Sequence, residues 1–285
     1  MSAITTVSMY RRPSAATSLL DLENVDGVPV FATGSAASLT EDQILGFKPF
    51  THWVDNMHPA LYVESVTVTD VHWFGPRIGF MTIKAVTRLM GQGPALPGIT
   101  FLRGGSVAML VVLRCEGRKY VLLVKQPRVA VGRSALVELP AGMLDGDGNF
   151  AGVAAKEMRE EAHIDFKPDE MVCMSEFTLN KQFPSPGACD EFIEYFYASA
   201  AVTPAFLRAI ADRATGCEAE GELIRLSYCA YEDLWCTTGD AKAAVACHLF
   251  ENIVRNGYMS DAVTTSRVFR SESELAGVAA GLKEE

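Results

Sequence analysis

The sequence lacks three features, each of which would have pointed to a class of protein. No apolar run is long enough to cross a membrane, so we expect no membrane partner. The seven cysteines are scattered, odd in number and without a C-x-x-C pair, which argues against a disulfide framework or a four-cysteine zinc site and favours a reducing compartment. Positive charge is scarce, since 25 Lys and Arg stand against 35 Asp and Glu. With a net charge of −10, the chain is poorly suited to bind the phosphates of a nucleic acid.

The chain is long enough to form a substantial core. Its 285 residues are 49% hydrophobic, which suits one large domain or two small ones. The first 19 residues contain two Arg, several Ser and Thr and no acidic residue. We predict a tail there, either disordered or an organelle transit peptide. The predicted location is therefore cytoplasmic, with a mitochondrion or another organelle as the alternative.

The first third of the chain favours a small β domain. Alternating polar and apolar residues over 61–71 and a second strand over 78–87 predict an antiparallel hairpin. The Gly- and Pro-rich stretch 90–98 is predicted to be a boundary. The predicted organisation is a tail over 1–45, a β domain over 46–100 and a larger domain over 101–285.

Strands and helices are mixed in the larger domain. Thr203 followed by Pro204 predicts the start of a helix that Gly216 closes. Asp240 is predicted to cap a last helix that ends at Gly257. Together these patterns predict an α/β sandwich behind the small antiparallel β domain.

The most informative segment is KEMREEAHI, Lys156 to Ile164. Glu157, Glu160 and Glu161 stand at i, i+3 and i+4 and would share one helix face. A second, apolar face could pack on a sheet and contains Ala151, Ala155, Met158 and Ala162. Like charges at this spacing destabilise a helix by roughly a few tenths of a kcal/mol per pair. A hard divalent cation such as Mg²⁺ would reverse that effect; the alternative is a solvated acidic face.

The segment from Gly142 to Ile164 resembles the Nudix box, G-x5-E-x7-R-E-U-x-E-E-x-G-U, where U is a bulky aliphatic residue. The spacing matches without a gap, and the three carboxylates that serve the metal in that family fall on Glu157, Glu160 and Glu161.

Three positions depart from the box. Gly148 replaces its first Glu, Lys156 its Arg and His163 its closing Gly. In the family the first Glu and the Arg support the catalytic helix, so we expect a looser geometry but a working site. Lys156 then needs another partner, and the candidates are Asp145, Asp147 and Glu138.

The resemblance extends over about residues 45 to 255. It is carried by HWFGPRIGFMTIKA, VKQPRVAVG, ELPAGMLD, FPSPGACDE and DLWCTTGDAK, which resemble plant-type ADP-sugar diphosphatases, a Nudix branch related to ADP-ribose pyrophosphatases. The resemblance implies a Nudix α/β/α sandwich with a mixed sheet and a homodimer formed through the β domain. It also implies Mg²⁺-dependent hydrolysis, with Mn²⁺ as a possible substitute, of ADP-ribose or ADP-glucose to AMP and a sugar phosphate.

The same resemblance suggests roles for individual residues. The implied metal ligands are the carbonyl of Ala141 and the carboxylates of Glu157, Glu161 and Glu222. Glu160 ligates or bridges and is counted as catalytic. The general base is Glu222 or Glu220, and the alternative is an ordinary acidic turn.

Substrate contacts are predicted at Arg128, which would bind the pyrophosphate, and at Trp73 and Arg77 on the N-terminal hairpin. The alternatives are a surface Arg and plain core or interface packing of Trp73. Other functions left open are a Nudix enzyme for UDP- or GDP-sugars, NADH or coenzyme A, and a non-catalytic nucleotide-sugar sensor.

Overall fold

A computed structural model describes residues 3–11, 23–144, 150–162, 164–178, 181–215 and 223–270, without the side chains of 8–11, 23–26, 157 and 160–162. The chain forms two compact units. The first comprises Met1–Gly105 together with Ser185–Phe192, and the second comprises Ser106–Pro184 and Ile193–Glu285.

The first unit is a six-stranded sheet with two short helices. Its elements are β1 Thr5–Arg11, β2 Glu23–Ala32, α1 Glu41–Gly46, α2 Lys48–Asp55, β3 Leu61–Phe74, β4 Arg77–Leu89, β5 Gln92–Leu96 and β6 Ile99–Leu102. The strand order is β1-β2-β3-β4-β5, with β6 also paired to β4. All pairs are antiparallel except β2 with β3. The predicted antiparallel β region and its long hairpin are therefore confirmed.

Two strands, β1 and β2, and most of helix α1 lie within residues 1–45, for which a tail was predicted. Helix α1 starts with a capping box, in which Gln43 N donates to the Thr40 hydroxyl and Thr40 N donates to the Gln43 side chain. Val28, Val30 and Ile44 are fully or almost fully buried in the core of this unit. Burial of these apolar side chains is what holds residues 23–46 in the fold.

The Gly- and Pro-rich stretch 90–98, predicted to be a boundary, contains a strand and belongs to the first unit. It contains β5, which pairs with β4. Met90, Gly91 and Gly93 have positive φ angles of 54°, 67° and 72°. Two of these are glycines, which adopt such angles at little cost, so the chain can reverse tightly into another strand.

The second unit is built on a nine-stranded sheet. Its elements are β7 Ser106–Cys115, β8 Arg118–Arg128, β9 Arg133–Glu138, β10 Ala141–Met143, α3 Phe150–Ala162, β11 Val172–Cys173, β12 Ile193–Val202, α4 Pro204–Ile210, β13 Ala214–Thr215, β14 Ile224–Ala230, α5 Leu234–Thr237, α6 Ala241–Arg255 and β15 Val268–Phe269. The main strand order is β11-β12-β7-β8-β14-β13. β12 is parallel to β7 and β15, and the other pairs are antiparallel. The sheet is therefore mixed, as predicted.

Both faces of this sheet are covered by helices. Along β7, alternate side chains enter two different cores: Val107, Met109, Val111 and Leu113 in one, and Ala108, Leu110 and Val112 in the other. The first core includes residues of α3 and α4, and the second includes residues of α5 and α6. This arrangement confirms the predicted α/β/α sandwich and explains why β7 is a nearly continuous apolar run. In the described part of the chain, no helix has the length and apolarity that a membrane span requires.

Of the two helices predicted in this unit, one agrees with the structure and the other ends earlier than predicted. Asp240 caps α6 as predicted, its carboxylate accepting from Lys242 N at 3.0 Å, and Gly257 follows with a φ of 75°. Helix α4 does begin after Thr203 but ends at Ile210, six residues before Gly216. The chain turns at Asp212, whose φ is 58°, and then pairs as β13 with β14. Strand pairing in the tertiary structure thus overrode the local helix signal.

Candidate active site

The acidic helix lies against the sheet through its predicted apolar face. Ala155 and Met158 of α3 are buried, as is Ala154, and the helix contacts β7 and β10. Just after the helix, the backbone N–H of Ile164 donates to the carbonyl of Met158 at 3.1 Å, so the chain turns back there.

The acidic positions share one side of this helix. Positions 157, 160 and 161 are all within α3, so their backbone spacing places them together on a face next to the buried stripe. The carboxylate side chains of Glu157, Glu160 and Glu161 lie outside the described residues. So do two of the departures from the box, Gly148 and His163, and the proposed partners Asp145 and Asp147.

The two strands before the acidic helix, β9 and β10, fill a gap between β7 and β8. β7 and β8 pair directly at Val112–Cys115 and Arg118–Val121. Beyond that point, β9 pairs with β8 and β10 pairs with β7. The chain passes from one strand to the other at Leu139–Pro140, where the Pro140 carbonyl accepts from Met109 N at 2.9 Å. Ala141, the predicted carbonyl ligand, is thereby placed in register opposite Ala108 at the start of β10.

Glu138, the last residue of β9, is a buried carboxylate with two cations. Its side chain is only 4% exposed. Arg128 binds it with both edges of a fork, Nε to Oε1 at 2.7 Å and Nη2 to Oε2 at 3.3 Å. Lys242 of α6 donates to Oε2 at 3.2 Å and to Asp240 Oδ1 at 2.9 Å. Glu138 therefore joins a cation of β8 and a cation of α6 just before the segment that resembles the box.

Arg128 is therefore tied to the strand that precedes the box. It ends β8, and its side chain is 42% exposed despite the ion pair with Glu138. Glu138, one of the three candidate partners of Lys156, is the carboxylate that Arg128 and Lys242 bind. Binding of pyrophosphate by Arg128 stays a prediction.

The turn before α6 adds further contacts to the same strand. The Thr238 hydroxyl donates to the Val137 carbonyl, and Asp240 N donates to the Thr238 hydroxyl at 2.9 Å. Asp240 Oδ2 accepts from Leu139 N at 3.2 Å. Sequence reasoning identified Asp240 as a cap but missed Lys242. The missed signal was a Lys in the first turn of a helix, where the helix dipole disfavours positive charge.

Trp73 and Arg77 belong to the first unit. They flank the tip of the β3–β4 hairpin, where Trp73 is opposite Ile78 and Phe74 is opposite Arg77. Trp73 is 45% exposed, so it is not a core residue, and the core alternative for it was wrong. Its predicted part in substrate binding or in an interface stays a prediction, as does that of Arg77.

The FPSPGACDE stretch also contributes to the first unit. Asp190 accepts from the backbone N–H groups of Arg103 at 2.7 Å and Gly104 at 3.1 Å. Burial raises the pKa of the Asp190 carboxyl above its usual value, although these hydrogen bonds act to lower it. Arg103 also pairs with Glu191 at 3.2 Å. These contacts anchor the stretch beside the end of β6.

The predicted general bases, Glu220 and Glu222, lie outside the described residues. The nearest described strand is β14, which begins two residues after Glu222 and pairs with β8. In the side chains that the structure describes, no group of three or more His, Cys, Asp and Glu could hold a metal ion. Binding of a metal by residues 157, 161 and 222 and by the Ala141 carbonyl stays a prediction.

Three comparisons relate this chain to known proteins. A family model described as NUDIX domain matches residues 103–248. The chain is 34% identical over 267 residues to "Nudix hydrolase 14, chloroplastic" of Arabidopsis thaliana, covering 88% of this chain and 86% of that protein. A solved structure described as "Crystal structure of ADP compounds hydrolase" matches with a TM-score of 0.46 and 12% identity, over 70% of this chain and 97% of that one.

Proposed function

Since the chain belongs to the Nudix hydrolase family, we propose that it hydrolyses the diphosphate of a nucleoside diphosphate sugar, of the ADP-ribose or ADP-glucose type. Family membership makes it a hydrolase of the Nudix pyrophosphatase kind; the substrate and the ion are our proposal. One observation carries the proposal: the box-spaced positions 157, 160 and 161 lie on one side of α3, which packs on the β10 strand of Ala141. The ADP preference rests on the sequence resemblance in the flanking stretches.

The proposed ligand set suits Mg²⁺. Carboxylates of Glu157, Glu161 and Glu222 and the carbonyl of Ala141 are all hard oxygen donors, which Mg²⁺ and Mn²⁺ accept. When bound, Mg²⁺ supplies positive charge that offsets the diphosphate and eases deprotonation of the attacking water. An ion at these positions would offset the like-charge repulsion, roughly a few tenths of a kcal/mol per pair, that their spacing on the helix implies.

The chain's own residues would do the rest. Arg128 would hold the diphosphate through its planar guanidinium, which matches phosphate oxygens well. Glu222, or Glu220 in its place, would accept the proton of the attacking water, and Glu160 would assist beside the metal. The water oxygen bonds to one phosphorus while the bridging P–O bond breaks, giving AMP and a sugar phosphate.

The proposed assembly is a homodimer in which Trp73 and Arg77 contribute to substrate binding. An exposed Trp at a hairpin tip suits stacking on a base or packing in an interface. We also keep an organelle as the alternative to the cytoplasm, since the Arabidopsis relative is named as chloroplastic.

The test is a panel of diphosphates assayed for released phosphomonoester at millimolar Mg²⁺. We expect ADP-ribose or ADP-glucose to be turned over faster than UDP-glucose, GDP-mannose, NADH or coenzyme A. In Glu161→Gln we expect kcat to fall by about 100-fold or more, since even residues that only support metal ligands are worth 10–100-fold. Glu176→Gln, an exposed carboxylate of the same unit, is the control and should keep wild-type turnover.

Unchanged AMP release by Glu161→Gln would remove that residue from the site. Faster turnover of a UDP- or GDP-sugar would overturn the choice of base. The second candidate function is a non-catalytic sensor, motivated by Gly148, Lys156 and His163 at positions that support the family's catalytic helix. Calorimetric binding of ADP-ribose without turnover at any divalent ion would favour it.

A further inference from the structure

We propose that Lys242, in the first turn of α6, is a positioning residue: it holds Glu138 and, through Glu138, fixes the guanidinium of Arg128 for the diphosphate. This inference rests on the function proposed above for Arg128. It adds the first turn of α6 to the residues that prepare the site.

Lys242 stands at an unfavourable place for a cation. It is the second residue of a 15-residue helix, near the positive end of the helix dipole. Its ammonium group donates to Asp240 Oδ1 at 2.9 Å and to Glu138 Oε2 at 3.2 Å, and the side chain is 18% exposed. The carboxylates of Asp240 and Glu138 offset the unfavourable charge at this position. The helix gains nothing from a Lys there, so the two ion pairs are the reason for its presence.

Glu138 needs both of its cations. A carboxylate with 4% exposure is costly unless it is paired and hydrogen-bonded. Its Oε1 accepts from Arg128 Nε, and its Oε2 accepts from both Arg128 Nη2 and Lys242 Nζ. Because the contact with Arg128 is bidentate and the guanidinium is planar, the orientation of the carboxylate sets the plane of the guanidinium. Lys242 thus acts on Arg128 through the Glu138 oxygen to which both donate.

Residues of the same turn bind three consecutive residues, Val137 to Leu139, just before the box. Thr238 binds the Val137 carbonyl, Lys242 binds the Glu138 side chain, and Asp240 binds Leu139 N. The next two residues are Pro140 and Ala141, so the turn also limits where the proposed carbonyl ligand can move. This support would come from outside the box, whose own supporting positions are altered at Gly148 and Lys156.

The test is a double-mutant cycle between Lys242 and Arg128 on the full-length protein with ADP-ribose and Mg²⁺. We expect Lys242→Met to lower kcat/KM by about 10-fold or more, mainly through KM, as for residues that support ligands elsewhere. In an Arg128→Ala background we expect the same change to matter less than about twofold, since coupled residues are not additive. Lys242→Arg should retain most activity because it keeps the charge.

Arg118→Met is the matched control, since it removes an exposed ion pair with Glu232 in the same unit. It should leave kcat/KM unchanged in both backgrounds. Should Lys242→Met fail to fold, Lys242→Gln takes its place, keeping a donor without the charge. Glu138→Gln combined with Lys242→Met should restore the melting temperature but not KM.

Equal losses from Lys242→Met in both backgrounds, or a loss that follows the melting temperature alone, would overturn the positioning role. Absence of wild-type turnover on the whole panel would overturn the proposed function separately. The cycle would then be measured as the Kd of ADP-ribose by calorimetry, where the same non-additivity supports positioning. If wild type neither binds nor hydrolyses ADP-ribose, both are wrong.

Discussion

Glu170 shows how one carboxylate is held by a nearby backbone donor and by side-chain donors far away in sequence. Glu170 accepts from Lys167 N at 2.9 Å, from the Thr265 hydroxyl and from the Arg267 guanidinium. Burial acts to raise the pKa of Glu170, but these donors outweigh it and lower that pKa below the usual value. A lowered pKa means that the ionised form stabilises the fold.

Glu170→Gln should therefore destabilise the protein in a pH-dependent way. At pH 7 we expect the free energy of unfolding to fall by about 1.5–3 kcal/mol, the usual worth of hydrogen bonds to a charged group. The stabilisation is present above the pKa of the unfolded carboxyl and is lost as the pH falls through the lowered folded pKa. In urea titrations, the free energies of unfolding of the wild type and of Glu170→Gln should differ less at pH 3 than at pH 7. Glu232→Gln, which removes an exposed ion pair with Arg118, is the control and should lower the free energy of unfolding by less than about 1 kcal/mol.

At the scale of elements, local sequence signals predicted an element correctly where nearby side chains determine the backbone conformation. The capping residue Asp240 and the alternation of the β3–β4 hairpin predicted elements that the structure confirms. They missed two short strands. Residues 214–215 pair with β14, where a helix was predicted, and residues 92–96 pair with β4, where a boundary was predicted.

Gly98 gives an element-scale prediction. Its carbonyl accepts from Ala85 N at 2.8 Å, and a Cβ at Gly98 would come within 2.1 Å of the Ala85 carbonyl oxygen. Since the clash is with backbone, Gly98→Ala should push β4 from the Gly98 segment and lower the free energy of unfolding by about 1–3 kcal/mol. Chemical denaturation measures this.

The matched control is Gly46→Ala, at the end of α1, where an added Cβ would meet nothing within 4 Å. It should change the free energy of unfolding by less than about 1 kcal/mol. Equal effects of the two substitutions would contradict the close approach of Gly98 to Ala85.

At the scale of the whole molecule, the site and the fold should respond differently to loss of metal. The acidic helix is anchored by Ala154, Ala155 and Met158 in a core that also contains the apolar side chains of β7. That anchorage involves no ion, so folding should not need one. Catalysis by the proposed oxygen ligands should need one.

We therefore expect EDTA to abolish turnover of ADP-sugars while the helix and the sheet persist. The melting temperature followed by circular dichroism should differ from that in Mg²⁺ by no more than about 4 °C, which corresponds to about 1 kcal/mol. Activity should return on adding Mg²⁺ or Mn²⁺. Global unfolding in EDTA, as in small zinc domains, would contradict this view.

By itself, the sequence determined the local features of this protein: the acidic and apolar positions along α3, the alternation of the β3–β4 hairpin and the cap of α6. These follow from local spacing, because a helix or strand repeats its faces at a constant interval. Only the tertiary structure decided that Glu138 binds both Arg128 and Lys242. Lys242 is 104 residues from Glu138 in sequence. The two side chains meet only because α6 packs on one face of the sheet to which β9 belongs. Long-range pairing of charges depends on packing, which no local pattern records.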